Sequence, residues 1–276
     1  MAREALKKIV VFGGNGFVGS EVLKRLSTVP TVHAISVSRR GAASSHCADF
    51  ADKVEWMKGD CLDKKTYSDA LEGASAVVVS VGSPPLPGDV ATARRANGET
   101  NVKVIEAAME AKVKRAVVVG ATMPPWLDRV AEGYALGKRD AFEALGGFAL
   151  SGGAVVVKPS AIYGTRHTES SYPIPLAPVM APLSYALRIG RPVTGFVTGL
   201  APSLLDGLLE PPVPVHAVAQ TVVDACLEEE YEEGGGADAG ADGAIDGTVP
   251  SLPADMEGCT PLHAACACGD AASSPR

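Results

Sequence analysis

Two residues in the stretch YALGK, Tyr134 and Lys138, stand four positions apart. In a helix, positions i and i+4 lie on one face. An ammonium beside a phenol favours the phenolate and lowers the tyrosine pKa from its reference near ~10. A phenol tuned in this way can give a proton to, or take one from, a carbonyl/alcohol pair. The same spacing also describes two exposed side chains on an ordinary helix. A second chemistry-bearing stretch is VVFGGNGFVGS, which carries Gly13, Gly14, Gly16 and Gly19. It fits G-x-G-x-x-G from Gly14 and G-x-x-G-x-x-G from Gly13. Glycines there permit a tight turn and a close backbone approach. The backbone from Asn15 through Phe17 and Val18, at the start of a helix, can then receive a pyrophosphate. The alternative is a glycine-rich turn with no ligand.

Both stretches need a scaffold, and hydropathy patterning supplies one. Strand patterns occur at Lys7 to Phe12, Thr31 to Val37, Val54 to Met57, Ser75 to Gly82, Lys114 to Gly120 and Gly153 to Pro159. Helical patterns fall between them: Phe17 to Leu26, Asp63 to Leu71, Val90 to Ala111 and Arg129 to Leu145. Asp128 is the expected cap of the last of these, and Gly146-Gly147 its expected end. The run SAVVVSVG is nearly all apolar, as in a sheet covered on both faces. This alternation predicts an α/β fold with a doubly wound parallel sheet of the Rossmann type. The glycine turn then sits between the first strand and first helix, the context that dinucleotide binding requires. From Ser160 to Glu210 the chain is rich in proline and glycine and lacks clear periodicity. A helix resumes over roughly Val215 to Glu229. The expected organisation is a nucleotide-binding domain over residues 1–231, with a small C-terminal substrate lobe mainly within 160–230. Residues 232–276 form a low-complexity tail, expected to be disordered.

The end of the second strand selects between cofactors. An acidic residue there would bond the ribose 2′-hydroxyl. This chain instead has SVSRRG, with Arg39 and Arg40. Guanidinium groups suit a 2′-phosphate, so NADP(H) is favoured over NAD(H). Asp60, just after the third strand, can reach an adenine. Val81 and Gly82, ending the fourth, would pass backbone along the adenosine ribose.

Composition narrows the partners. The 276 residues suffice for one large domain with a sizeable core, and the net charge of -7 argues against nucleic acid. No transmembrane segment is expected, because no apolar run is long enough to span a bilayer. The apolar stretch Pro173 to Leu209, broken by prolines and arginines, suits packing on a core or lining a greasy pocket. The first residues read as neither a signal nor a transit peptide, so this chain is expected to be cytosolic or to lack a presequence. The six cysteines follow no disulfide framework, and a reducing compartment fits.

Together GGNGFVG, GDCLD, YALGK and KPSAIYGTR resemble the short-chain dehydrogenase/reductase superfamily, in its extended or atypical branch. The resemblance covers about Lys7 to Glu230. Lys158 replaces the arginine that usually opens the last motif. The detailed runs GGNGFVGSEVLKRL, VSRRG, NGETNVKVIEAA and VKRAVVVGA look most like a narrower group. That group contains mitochondrial proteins attached to coenzyme Q biosynthesis and their plastid relatives. A more distant likeness is to the NADPH-binding accessory subunit of respiratory complex I. By this resemblance Tyr134 is the acid/base, while Lys138 lowers its pKa and holds the nicotinamide ribose. Tyr163 joins the cofactor site. The usual third partner is an upstream serine or threonine. Gly120 stands where the narrower group often has serine, which leaves Thr122 as the available hydroxyl. The resemblance implies oxidoreduction of a hydrophobic substrate, such as a quinone or isoprenoid, or alternatively a non-catalytic NADP(H)-binding assembly or regulatory subunit. It also implies a membrane-associated protein complex, and a mitochondrial location with the chloroplast as alternative.

In the tail, EGCTPLHAACACGD resembles the start of an ankyrin repeat, and one such fragment cannot bury its own apolar face. Its Cys259, His263, Cys266 and Cys268 follow no familiar zinc spacing, and no metal site is expected.

Overall fold

The computed structural model describes residues 6–122, 124, 126–149, 153–167, 173–190, 210–228 and 261–262. Six parallel strands form the central sheet: β1 (Lys7–Phe12), β2 (Val32–Ser38), β3 (Glu55–Lys58), β4 (Ala76–Val79), β5 (Arg115–Val119) and β6 (Ala154–Val157). Their spatial order is β6-β5-β4-β1-β2-β3. The winding direction reverses between β1 and β4, and open α/β sheets bind ligands at the carboxyl edge of such a reversal. The doubly wound expectation is met.

Why these strands read as unbroken apolar runs is visible in their alternation. Ile9 and Val11 join one buried cluster, with Ala76, Val78, Val117 and Val119. Val10 and Phe12 point to the other, with Val77, Val79, Ala116 and Val118. Side chains of a strand alternate between faces, so a sheet covered on both sides needs apolar residues at every position. Helices α1 (Phe17–Leu26) and, late in the chain, Val215–Leu227 cover the first face through Leu23, Leu26, Val218 and Val222.

The second face is covered by a longer assembly. Helix α2 (Ser68–Leu71) contributes Leu71. Helix α3 (Val90–Arg94) passes through a single π-helical turn, Arg95–Glu99, into α4 (Thr100–Glu110), which buries Val104 and Ile105. After a short α5 (Leu127–Val130), helix α6 (Glu132–Ala149) adds Ala141, Leu145 and Phe148.

Several local expectations are corrected. Asp63 to Leu71 is not one helix. Asp63 caps a 3-10 turn, Lys64–Thr66, by accepting from the Lys65 amide, and the fully buried Tyr67 separates that turn from α2. Asp128 does not cap the helix carrying YALGK. It lies inside α5, and its carboxylate accepts from Arg139 at 2.6 Å, fastening α5 to α6. Gly146-Gly147 does not end α6, which runs on to Ala149. A Cβ at Gly147 would lie 2.5 Å from Met109 Sδ, so that glycine serves close packing against α4.

The C-terminal lobe holds β7 (Ile162–Tyr163), β8 (Thr165–His167), β9 (Pro173–Pro175), α7 (Ala177–Ile189), β10 (Val213–Pro214) and α8 (Val215–Leu227). Helix α7 was not expected. Pro178 falls in its first turn, where a missing N–H costs little, but Pro182 lies inside it. Beyond Glu228, Pro261–Leu262 form β11, antiparallel to Val156 and Val157 at the β6 edge. The rest of the expected disordered tail, with Cys259, His263, Cys266 and Cys268, lies outside the described residues.

Candidate functional site

At the carboxyl edge of the sheet, beside the reversal, lies a cleft of about 1050 Å³. It begins at the glycine turn. Gly13 has φ +87°, which an L side chain adopts at a cost. A Cβ at Gly14 would lie 2.3 Å from Ser36 Oγ, and one at Gly19 would lie 2.3 Å from the Gly13 carbonyl oxygen. These glycines bring the turn hard against β2 and β4 and so open the space in front of it. Gly16 is the N-cap of α1, with no side-chain cap and no acidic residue in the first turn. The α1 amides are therefore available to an anion, and the macrodipole favours one. Asn15, Gly16, Phe17 and Val18 line the cleft itself. The residues present fit a dinucleotide pyrophosphate.

Asn15 also fixes the neighbouring loop. Its Nδ2 donates to Ala42 O at 2.9 Å, and its Oδ1 accepts from the Ser44 amide at 2.9 Å. Arg40 Nη1 donates to Ser44 Oγ at 2.8 Å. Arg39, Arg40, Ser38 and Ser44 all line this end of the cleft. Ser44 was missed by sequence reasoning, because only the Asn15 clamp brings it beside the arginines.

At the other end stand Tyr134 and Lys138. Both are buried, at 8% and 6% exposure, so the reading of two exposed side chains is overturned. The intervening Gly137 explains how α6 brings them there. A Cβ at Gly137 would lie 2.7 Å from the Gly98 amide nitrogen and 2.8 Å from Arg94 O. Glycine lets α6 seat directly on the π-helical turn, a feature often found at functional sites. Lys138 Nζ donates to Val119 O at 2.9 Å and lies 5.8 Å from the Tyr134 ring centroid.

The electrostatic outcome differs from the sequence expectation. Burial raises the Tyr134 phenol to about 12 and lowers the Lys138 ammonium to about 8. Desolvation disfavours the charged form of each group and is the cause of both shifts. The expected lowering of the tyrosine by the lysine is not present.

Asn97 is a further residue that sequence reasoning missed, although it opens the run NGETN. It is fully buried on the π-helical turn, donating to Ser83 Oγ at 2.9 Å and accepting from the Ser83 amide at 3.2 Å. A Cβ at Gly82 would lie 2.3 Å from Asn97 Oδ1 and 3.8 Å from Lys138 Nζ. Gly82 and Lys138 are thus brought together, with Val81 lining the same wall. Thr122 also lines the cleft, its amide donating to Pro159 O at 2.8 Å. Asp60 does not join this lining. It is exposed, and its Oδ1 accepts from the Leu62 amide at 3.0 Å. Tyr163 is outside the lining as well, paired in β7 with Pro214, while the adjacent Ile162 faces the cleft.

The cleft has a charge pattern of its own. Arg39, Arg40, Lys138 and Arg166 line it, and no described aspartate or glutamate does. In a chain of net charge -7, that is a local cationic channel suited to a polyanion. Beyond Tyr134 the wall turns apolar, with Pro124, Trp126, Leu127, Leu176 and Ile162. Among the described residues no cluster of His, Cys, Asp or Glu could hold a metal, and no helix is long and apolar enough to cross a membrane.

Comparison with known proteins agrees with this geometry. An NAD(P)H-binding family model matches residues 13–148. An uncharacterised chloroplastic protein of Arabidopsis thaliana is 35% identical over 181 residues, 64% of this chain and 57% of that protein. MIOREX complex component 2 of Saccharomyces cerevisiae is 35% identical over 82 residues, 28% of this chain and 29% of that protein. The chain thus spans less than two thirds of either relative. Among solved structures, the Bordetella bronchiseptica enzyme WbmH in complex with NAD+ superposes with TM-score 0.53 at 17% identity, covering 80% of this chain and 72% of that one. UDP-glucose 4-epimerase of Thermotoga maritima superposes with TM-score 0.54 at 15% identity, covering 79% and 72%. Residues 13–148 thus match an NAD(P)H-binding family model, and the chain shares the Rossmann-type fold of these solved structures.

Proposed function

We propose that the chain is an NADP(H)-dependent oxidoreductase acting on a carbonyl or alcohol of a hydrophobic substrate. The observation that carries this reading is one continuous cleft. It runs from a cationic end at Arg39 and Arg40, past the α1 N-terminus, to Tyr134 and Lys138 and then to an apolar wall. Bound NADP(H) would supply or accept hydride at the substrate carbon. Arg39, Arg40 and Ser44 would hold the 2′-phosphate, with Asn15 keeping their loop in place. The α1 amides bind the pyrophosphate. Lys138 would hold the nicotinamide ribose, and Tyr134 would move a proton to or from the substrate oxygen. The neutral phenol carries the proton that reduction of a carbonyl requires. Thr122 is the hydroxyl placed to orient that carbonyl. Pro124, Trp126 and Leu127 exclude water and favour an apolar substrate, such as a quinone or isoprenoid.

A second reading is supported by Gly120. A Cβ there would lie 2.7 Å from Phe142 Cζ, so a serine at this position would have to displace the Phe142 ring. Such a site suits a chain that holds NADP(H) as a structural ligand within a membrane-associated assembly. The name of the yeast relative, a complex component, is consistent with it. We assign the protein to the mitochondrion, with the chloroplast named for the Arabidopsis relative as the alternative.

Tyr134→Phe separates the two readings. It keeps the ring and its packing against Leu127 and Ala131. If Tyr134 handles the proton, NADPH binding persists while complementation of a deletion strain at matched expression fails, in line with a loss of about 10²–10⁴-fold in turnover. Full rescue would reject catalysis and leave the nucleotide as a structural ligand.

A further inference from the structure

Residues 165–167 of the C-terminal lobe reach the cofactor cleft by a route that sequence spacing does not reveal. Gly164, at φ +155°, turns the chain between β7 and β8. A Cβ there would lie 2.6 Å from Val215 Cγ1 and 3.4 Å from Phe17 Cε2, so the turn is pressed between α8 and the first residue of α1. Gly164 O also accepts from the Leu176 amide at 2.9 Å, closing the β8–β9 hairpin. β8 consequently lies against α1, and both Arg166 and His167 line the cleft that Asn15, Gly16 and Phe17 open.

His167 meets a partner from the opposite bank. Its ring stacks on His46, with centroids 4.3 Å apart and planes tilted by 36°. His46 belongs to the 3-10 segment Ser45–Lys53, directly after the Arg40–Ser44 loop. The two histidines also wall a smaller crevice of about 290 Å³ on the outer side of the same α1 turn. The rings therefore bridge the C-terminal lobe and the cofactor loop across the helix start. Burial, reinforced by His167, holds the His46 imidazole below its ordinary value, which favours an uncharged His46 ring in the stack. Arg166, on the same strand, pairs through its backbone with Ile174 of β9, and its side chain makes no hydrogen bond or ion pair among the described residues.

We infer that β8 is a clasp over the cofactor pyrophosphate, with Arg166 as a phosphate-binding residue and the His167–His46 stack as its positioning latch. The inference rests on the proposed nucleotide site and extends it, since it assigns part of cofactor binding to the C-terminal lobe. A guanidinium is suited to this task. It stays charged and presents a planar fork that matches phosphate oxygens. The pyrophosphate would then be held from one side by the α1 amides and from the other by Arg166. Arg39 and Arg40 read a different group, the 2′-phosphate, so the two sets of cations are separable by ligand.

The test is a titration of the purified full chain, as wild type, Arg166→Ala and Arg166→Gln, with NADPH, NADH, ADP-ribose and AMP. Arg166→Gln keeps a polar side chain of similar length and guards against a packing defect. Both variants should weaken NADPH, NADH and ADP-ribose alike, by about 10- to 100-fold, and leave AMP unchanged because it has no pyrophosphate. Unchanged binding of all three dinucleotide-type ligands would overturn the inference and return Arg166 to a substrate anion or to solvent. A loss confined to NADPH would also overturn it, in favour of 2′-phosphate reading. Wild-type protein that binds none of the ligands would instead reject the nucleotide site on which the inference stands. For the latch, His167→Ala should cost the same three ligands a smaller factor, and His167→Phe, which keeps a flat ring against His46, should restore most of it. Equal losses in the two histidine variants would remove the stack from the account.

Discussion

The aromatic ring of Phe142 occupies the space into which a side chain at Gly120 would point: a Cβ there would lie 2.7 Å from Cζ and 3.0 Å from Cε1. The same ring carries Lys158 Nζ at 5.1 Å from its centroid. The lack of a side chain at position 120 is therefore coupled to packing two helical turns beyond Tyr134. Gly120→Ser alone should destabilise the fold by about 1–3 kcal/mol through overpacking. Gly120→Ser with Phe142→Ala should recover part of that overpacking cost, because the two sites share one space. Thermal or denaturant unfolding of the two single variants and the double variant measures this coupling. Strict additivity would show that the ring moves aside freely.

Lys138 gives a pH signature. Its ammonium titrates at about 8 when folded, against the ordinary 10.5, because burial opposes its charge. Between those values the unfolded chain binds more protons than the folded one, so this group makes stability rise with pH. Below pH 8 both states are protonated, and the full cost of burying the charge is felt. Lys138→Met removes that cost, on the order of 3 kcal/mol. The wild type should therefore gain on the variant as pH rises from about 8 to 10. Tyr134 acts in the opposite sense above pH 10, since burial raises its phenol. Using the difference between the two proteins cancels the buried cysteines and Tyr67. Chemical unfolding at a series of pH values checks it, and a difference that does not vary with pH would contradict a buried charged lysine.

Gly137 should be as sensitive as the residues it separates. Gly137→Ala places a methyl against the Gly98 amide and Arg94 O, both backbone atoms that cannot turn aside. The helix pair must separate, at a cost of about 1–3 kcal/mol. NADPH affinity should fall with it, since α6 carries Lys138. Unfolding and nucleotide titration on one preparation would show both effects. A stable variant with altered affinity would mean that α6 shifts along the π-helical turn without leaving it.

How much of this could be read from sequence depended on whether the cause was local. The strands were legible because burial on both faces leaves Ile9, Val10, Val11 and Phe12 no polar position. The glycine turn was legible because Gly13, Gly14 and Gly19 each answer a steric demand of the β1–α1 connection. Tyr134 and Lys138 were identified by spacing, but the direction of the tyrosine shift was not, because desolvation depends on what the whole fold places around the ring. Ser44, Asn97 and Arg166 were missed for the same reason. Each enters the cleft through long-range packing: the Asn15 clamp, the π-helical turn and the Gly164 turn. Helix α7 was hidden by Pro178 and Pro182, whose local preference the lobe overrides.

The arginines at the end of β2 give a selectivity prediction. Replacing Arg39 and Arg40 together with alanine should weaken NADPH strongly and NADH little, because only NADPH carries the 2′-phosphate. Each charge-assisted hydrogen bond to that phosphate is worth about 1.5–3 kcal/mol. Comparing both nucleotides on both proteins is sufficient. Equal losses would make the arginines general attractors of anions and not readers of one phosphate.

Isothermal titration of the wild-type protein with NADPH and with NADH tests the central claim most directly. The account predicts saturable one-to-one binding of NADPH, tighter than NADH, and abolished by Gly14→Val, whose side chain would collide with the buried Ser36 and Leu23 and push the glycine turn out of place. Failure to bind either nucleotide, or NADPH binding that survives Gly14→Val unchanged, would contradict a cofactor seated on the glycine turn.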